Sequence, residues 1–170
     1  FLASAIREER TRADVLVVHA HWDLTRYAWP TPATRTLGAE LVDAGADLVI
    51  GHHPHVLQGV ERRGDAAIVY SLGNTAFSSL VEGRGPLPQS GEEFRAALLH
   101  VELGRGGVRD LRLLPVVQRH PPGGPRVVPD DTPRRRARQA HLDGPLSLDD
   151  YATFYRAYAL ARLAGRAGRW

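Results

Sequence analysis

Two strand-length apolar runs, each leading directly into a His-x-His pair, constrain this chain more than any other feature. Asp14-Val15-Leu16-Val17-Val18 runs into His19-Ala20-His21, and Asp47-Leu48-Val49-Ile50-Gly51 runs into His52-His53-Pro54-His55. Apolar runs of this length without polar alternation suit strands buried on both faces. Ahead of the first run, Leu2, Ile6 and Ala13 fall on one side of a charged helical stretch. Between the runs, Leu37, Leu41 and Val42 mark a helix over residues 33–44 that Gly45 closes as a C-cap. A strand, helix, strand order predicts adjacent parallel strands, 15–18 and 48–50, joined by a right-handed crossover. Both histidine pairs then share one edge of the sheet, at the carboxyl ends of the strands, where function gathers in folds of this kind.

Downstream the period changes to two. Residues 56–61 and 66–71 flank Arg63-Gly64-Asp65, and residues 95–103 and 108–117 flank Gly104-Arg105-Gly106-Gly107, so two antiparallel hairpins are expected. Residues 82–91, with three Gly and two Pro, read as a mobile surface loop. Pro121-Pro122-Gly123-Gly124-Pro125 cannot continue a strand, which sets a domain over 1–125 and a tail over 126–170. Within the tail, Arg134-Arg135-Arg136-Ala137-Arg138 is an arginine-rich linker, and Leu148, Tyr151, Phe154, Tyr155 and Tyr158 mark an amphipathic C-terminal helix.

Composition narrows the chemistry. At 170 residues and 43% hydrophobic content the chain can bury one real core, and no apolar run approaches the roughly 20 residues of a membrane helix. With no cysteine, any metal must be held by imidazole, carboxylate or amide. All 22 basic residues are arginine, the net charge is only +3, and no aromatic residues interleave with the arginine run, so a nucleic-acid partner is not expected. There is no methionine and the chain opens Phe1-Leu2-Ala3, as if inside a helix, so it is read as part of a larger protein.

A lone histidine at a strand end is most often a hydrogen-bonded loop residue; His100, His120 and His141, which lack partner histidines, are given structural roles, His100 as a satisfied core or edge histidine inside a strand. Two pairs in register with two strand ends are different. Side chains at i and i+2 of an extended segment share a face, so each pair can aim two imidazoles at one point, as a zinc, iron, manganese or nickel site requires. A two-ion hydrolytic centre also needs a bridging carboxylate. Asp14 and Asp47 stand at the wrong ends of their strands, leaving Asp23 as the one acid near the right place.

The combination of Val-Val-His-Ala-His21-Trp22, Gly51-His-His-Pro-His-Val-Leu-Gln58 and Tyr70-Ser-Leu-Gly-Asn74 resembles the CapA type of poly-gamma-glutamate capsule biosynthesis proteins, of the calcineurin-like metallophosphoesterase superfamily. The likeness runs from about Phe1 to Pro125. It implies an α/β metallophosphoesterase-like sandwich, present here as the C-terminal portion of its domain, with a parallel βαβ unit followed by antiparallel hairpins. Carried over by position, His21, His53 and His55 match metal ligands. His19, Trp22, His52, Gln58 and Asn74 match positions beside the ligands or facing substrate.

The resemblance further implies two divalent ions in the complete protein (Mn, Fe or Zn), a phosphate-ester or capsule-polymer substrate, and a place at the cell envelope or outside the cell. A signal peptide or membrane anchor would belong upstream. The family's usual Gly after His-Trp is Asp23 here, so that loop is expected to differ. The motifs that carry the bridging acid, the metal-binding Asn and the catalytic His would precede Phe1. No catalytic residue is therefore assigned within this chain, and the chain alone is expected to be inactive; the other reading is a non-catalytic homologue or a partner subunit that completes its sheet with another chain.

Overall fold

The computed structural model describes residues 1–76, 80–81, 85–86, 95–119 and 126–130. In chain order these form α1 (Leu2–Arg10), β1 (Val17–His21), α2 (Pro32–Asp43), β2 (Leu48–His52), β3 (Val60–Arg63), β4 (Ala66–Val69), β5 (Leu80–Val81), β6 (Gly85–Pro86), β7 (Arg95–Gly104), β8 (Gly107–Arg119) and β9 (Arg126–Pro129). The first sheet runs β1-β2-β4-β3, and the second runs β7-β8-β9. β1 and β2 are parallel, β2 and β4 are parallel, and β3 returns antiparallel to β4. This is the expected α/β architecture: a parallel βαβ unit, then antiparallel hairpins in a partial metallophosphoesterase-like arrangement.

The crossover helix α2 is set by local chemistry that the apolar spacing did not reveal. Thr31 is its N-cap, its hydroxyl accepting from the Thr34 amide at 3.1 Å, and Pro32 occupies the first turn, where a missing N–H costs nothing. At the far end Gly45 takes φ +119°, a left-handed turn that delivers the chain into β2. The entry to β2 is pinned by Asp47, whose carboxylate accepts from the Leu16 amide at 2.7 Å and is ion-paired with Arg10 of α1.

Two apolar layers cover the central strands. On the helical side, Ile6, Trp22, Leu41, Ala44, Val49 and Ile68 form one buried cluster. On the other side, Leu48, Ile50, Ala67 and Val69 meet Val108, with Leu99, Val101 and Leu111 of the second sheet packed against them. β2 and β4 are thus buried on both faces, as continuous apolar runs in a parallel sheet should be.

β1 departs from that expectation. It starts two residues later than the apolar run, so that His19 and His21 lie within the strand, and its exposure alternates, with Val17, His19 and His21 open to solvent. The reason is its position: among the described residues β1 is the edge strand of the first sheet, and the second sheet packs on Leu48 and Ile50 of β2 and Ala67 and Val69 of β4. A cavity of about 510 Å³ runs along this edge, lined by Ile6, Leu16, Val18, Ala20 and Leu37 among others. A second departure is β9, which pairs with β8 from Arg126 to Pro129, just past the proline-glycine run that composition read as the end of the core. The arginine run, the C-terminal aromatic stripe, His120 and His141 lie outside the described residues, as does most of the loop over 82–91, where β5 and β6 pair antiparallel. No helix among the described residues is long and apolar enough to cross a membrane.

An edge that no described strand pairs with, beside an apolar groove, is a template for strand addition. The purified chain should self-associate with rising concentration in static light scattering, and Val17→Lys, which places a charge on the open face, should reduce it. A scattering mass that stays monomeric at all concentrations would count against this.

Candidate functional site

The site begins with the register of β1 on β2, which pairs His19 with Ile50, Ala20 with Gly51 and His21 with His52. The Trp22 amide extends the ladder by donating to the His52 carbonyl at 3.1 Å. The Trp22 side chain then turns into the helical-side core, and its indole N–H donates to the buried Tyr70 carbonyl at 3.0 Å, crossing beneath β2 to the end of β4. Gly51 makes room for that crossing. A Cβ there would fall 2.0 Å from the Tyr70 carbonyl oxygen and 2.2 Å from Trp22 Nε1. Tyr70 is fixed in turn, its hydroxyl donating to Glu61 at 2.9 Å; burial and the Glu61 charge push its pKa upward and keep it protonated.

Five imidazoles gather at the strand edge built this way. His19 and His52 stack 5.4 Å apart, nearly parallel, with His19 Nδ1 3.1 Å from His52 Nε2. His21 lies 4.7 Å from His53, ring centre to ring centre, and His53 lies 5.9 Å from His55. The second pair reaches this position by a route other than the extended segment expected. His53 and His55 have φ of +97° and +61°, so residues 52–55 form a tight turn in which strand alternation does not apply. Each ring is held from behind: His53 Nε2 is 3.1 Å from the Thr25 hydroxyl, and His55 Nδ1 is 2.8 Å from Asn74 Oδ1. Because an amide oxygen only accepts, His55 Nδ1–H is the donor, which leaves the Nε2 lone pair outward, the arrangement of a metal-ligating histidine.

Asp23 does other work than the bridging role its position suggested. Its Oδ1 accepts from the Leu24 amide at 2.9 Å, and its Oδ2 accepts from the Thr31 amide at 3.0 Å and from Gln58 Nε2 at 3.3 Å. Gln58, fully buried, also donates to the Tyr27 carbonyl at 2.9 Å. Asp23 and Gln58 therefore fasten the loop after β1 to the turn after β2.

The donor set suits a first-row transition ion in chemistry and in pairs. The nitrogen separation of 3.1 Å between His19 and His52 is close to what two ligands on one ion adopt at metal–nitrogen lengths of about 2.0–2.1 Å. His21, His53 and His55 share one edge but do not bring three ligand atoms within 4.8 Å of one another; among the described residues His100, Glu102 and Asp110 do so. That triad was missed in the sequence, where the signal was His100-x-Glu102 on one face of a strand.

A mixed α/β sheet with a histidine-bearing edge at the carboxyl ends of its parallel strands is the class this arrangement defines. Residues 1–79 match the family described as bacterial capsule synthesis protein PGA_cap, a span that includes every one of these histidines and Asn74. The PGA biosynthesis protein CapA of Bacillus subtilis is 43% identical over 72 residues, 42% of this chain and 19% of that protein. The capsule biosynthesis protein CapA of Bacillus anthracis is 41% identical over 76 residues, 45% of this chain and 18% of that protein. An uncharacterized protein of Sinorhizobium fredii, y4sH, is 40% identical over 62 residues, 36% of this chain and 13% of that protein. Residues 1–79 are thus similar to a portion of the CapA-type capsule biosynthesis proteins, and the matched stretch covers about a fifth of the length of the two Bacillus relatives.

Two outcomes are expected from the geometry. Gly51→Ala should destabilise the fold by about 1–3 kcal/mol, the range for forcing extra volume into a packed site, and Trp22→Phe by a similar amount through the orphaned Tyr70 carbonyl; chemical denaturation measures both. Burial first, then the charges of His19 and His21, hold the His52 pKa below its ordinary value of 6.5. A base with a depressed folded pKa stabilises the fold fully above the unfolded pKa and loses that contribution as pH falls through the folded one. The thermal midpoint should therefore drop as pH falls below 6.5, and drop less in His52→Asn.

Proposed function

We propose that residues 1–79 supply the histidine side of a divalent-metal centre in a metallophosphoesterase-type hydrolase of capsule polymer biosynthesis, poly-gamma-glutamate being the polymer the relatives' names suggest. The observation that carries this reading is the convergence of His21 of one parallel strand and His53 of the turn after its neighbour, 4.7 Å apart at the carboxyl edge of the sheet. Bound Mn, Fe or Zn ions supply Lewis-acid activation of water and neutralise a phosphate ester in such centres. The chain's own residues have narrower tasks. His21, His53 and His55 are the candidate ligands; Thr25 and Asn74 orient the rings of His53 and His55; Trp22 and Gly51 hold the two strand ends level; His19 and His52 border the ligands on the solvent side.

One observation favours a non-catalytic chain: the carboxylate of Asp23 is taken up in loop hydrogen bonds, so among the described residues no acid is offered to the five imidazoles to bridge two ions. The two readings differ in turnover but agree on binding. Calorimetric titration of zinc or manganese should show binding that weakens as pH falls through the imidazole range near ~6.5, since only neutral imidazole ligates. His53→Ala and His55→Ala should each weaken it about tenfold or more, roughly 1.4 kcal/mol, and the 170-residue chain should hydrolyse an aryl phosphate at no more than background rate. Unchanged affinity in both variants would refute the ligand assignment. Robust metal-dependent turnover, lost on His21→Ala, would refute the non-catalytic reading and show that this chain holds a complete centre.

A further inference from the structure

On the outer face of the second sheet, well away in sequence from the histidine edge, His100, Glu102 and Asp110 each bring a ligand atom within 4.8 Å of the other two. Their placement comes from the hairpin. Leu99 and Val101 of β7 and Leu111 of β8 turn inward against the core, so the alternate residues His100, Glu102, Asp110 and Arg112 turn outward. In the register Glu102 stands directly opposite Asp110, and His100 directly opposite Arg112. The β-bulge after Glu102 then ends the regular ladder beside the Gly104–Gly107 turn.

Two features mark this triad off from an ordinary charged surface. Like charges directly across an antiparallel pair repel, and Glu102 and Asp110 are such a pair. Arg112 relieves this only in part. Its Nε lies 2.8 Å from Asp110 Oδ2, yet that oxygen is shut off from solvent and receives no directional hydrogen bond. Glu102 and His100 have no hydrogen bond or ion pair among the described residues. The sheet therefore presents a partly desolvated carboxylate oxygen, a second carboxylate and an imidazole to one point, with the Arg112 ion pair as their one partner among the described residues.

We propose that His100, Glu102 and Asp110 form a binding site for a divalent transition cation, with zinc as the best-fitting class. One nitrogen and two oxygen donors suit zinc and its neighbours, whereas calcium prefers six or more oxygens. Donors held about 2.0–2.2 Å from one ion lie no more than about 4.4 Å apart, and since the three ligand atoms already lie within 4.8 Å of one another, at most small side-chain rotations complete the triad. The bound ion cancels the Glu102–Asp110 repulsion and joins β7 to β8, so its effect is to fasten the hairpin that covers the core. Three protein donors leave its remaining positions to water.

The test is zinc stoichiometry by equilibrium dialysis on the full chain, with His100→Ala, Glu102→Gln and Arg112→Gln as surface variants and His53→Ala to mark the other site. Circular dichroism confirms that each variant folds. One zinc equivalent should disappear in His100→Ala, weaken about tenfold or more in Glu102→Gln, tighten in Arg112→Gln, and persist in His53→Ala. Calcium at matched concentration should not occupy it. Zinc binding unchanged by both His100→Ala and Glu102→Gln would overturn the proposal. So would equal occupancy by calcium, which would reduce the triad to a diffuse negative patch. Loss of this equivalent in His53→Ala would assign it to the strand edge instead.

Discussion

The indole N–H of Trp22, bonded to the Tyr70 carbonyl across the face of Gly51, is the contact on which the rest of the arrangement depends. It ties the carboxyl ends of β1 and β4 together beneath β2, so three parallel strands end level. Without that levelling, a slip of one residue between β1 and β2 would turn every side chain of one strand to the other face. His21 would then leave His53 and meet the helical core instead. A single buried donor, matched to a single buried acceptor, sets the register of the whole imidazole cluster. The absence of a side chain at Gly51 is as much a part of this as the tryptophan.

Beyond the levelled strand ends the backbone is held under tension. Asp23, Arg26, His53 and His55 all take positive φ without being glycine, and all four lie in the two loops that leave β1 and β2. Each such residue costs on the order of 1–3 kcal/mol and persists only where the surroundings over-determine it. Here they do so through specific bonds: Asp23 to Leu24, Thr31 and Gln58, the Arg26 amide to the Pro54 carbonyl at 2.7 Å, and His55 to Asn74. The strain collects beside the imidazoles and nowhere else among the described non-glycine residues. The Thr25–His53, Arg26–Pro54 and His55–Asn74 bonds thus brace the strained turn that carries His53 and His55, while Asp23 and Gln58 tie the loop after β1 to the stretch that follows that turn.

The parallel unit was legible because its signals are local and periodic. Leu48 to Ile50 reads as a buried strand, Leu37 and Leu41 as a helix stripe, and the Gly-containing turns at 63–65 and 104–107 as hairpins, and each element is there. The exposure of β1 was not legible, since Val17 and Val18 are the same residues whether a neighbour lies beyond them or not; edge position is a property of the sheet. The role of Asp23 was hidden for a related reason. Its nearness to the strand end suggested a ligand, but its three hydrogen-bond partners lie at positions 24, 31 and 58, and no spacing rule joins them. The triad of His100, Glu102 and Asp110 needed the pairing of two strands before its third member came into view. β9 comes after a Pro-Gly run that ends strands by rule, and its pairing depends on β8 offering an edge.

Among the described residues, the open edge of β1 and the lack of an acid beside the imidazoles are two expressions of one geometry. The far side of β2 is occupied by β4, one face of the sheet by the helices, and the other face, over β2 and β4, by the second sheet. Among the described residues, the outer side of β1, where Val17, His19 and His21 are exposed and the apolar groove runs, is left uncovered beside the imidazoles. If a carboxylate joined His21 and His53 on a shared ion from that side, an extended segment carrying it would also meet the edge of β1 that no described strand pairs with. Pairing and ligation would then reinforce each other. The strand would hold the carboxylate at the level of the ring nitrogens, and the ion would tie the added strand to the edge it covers.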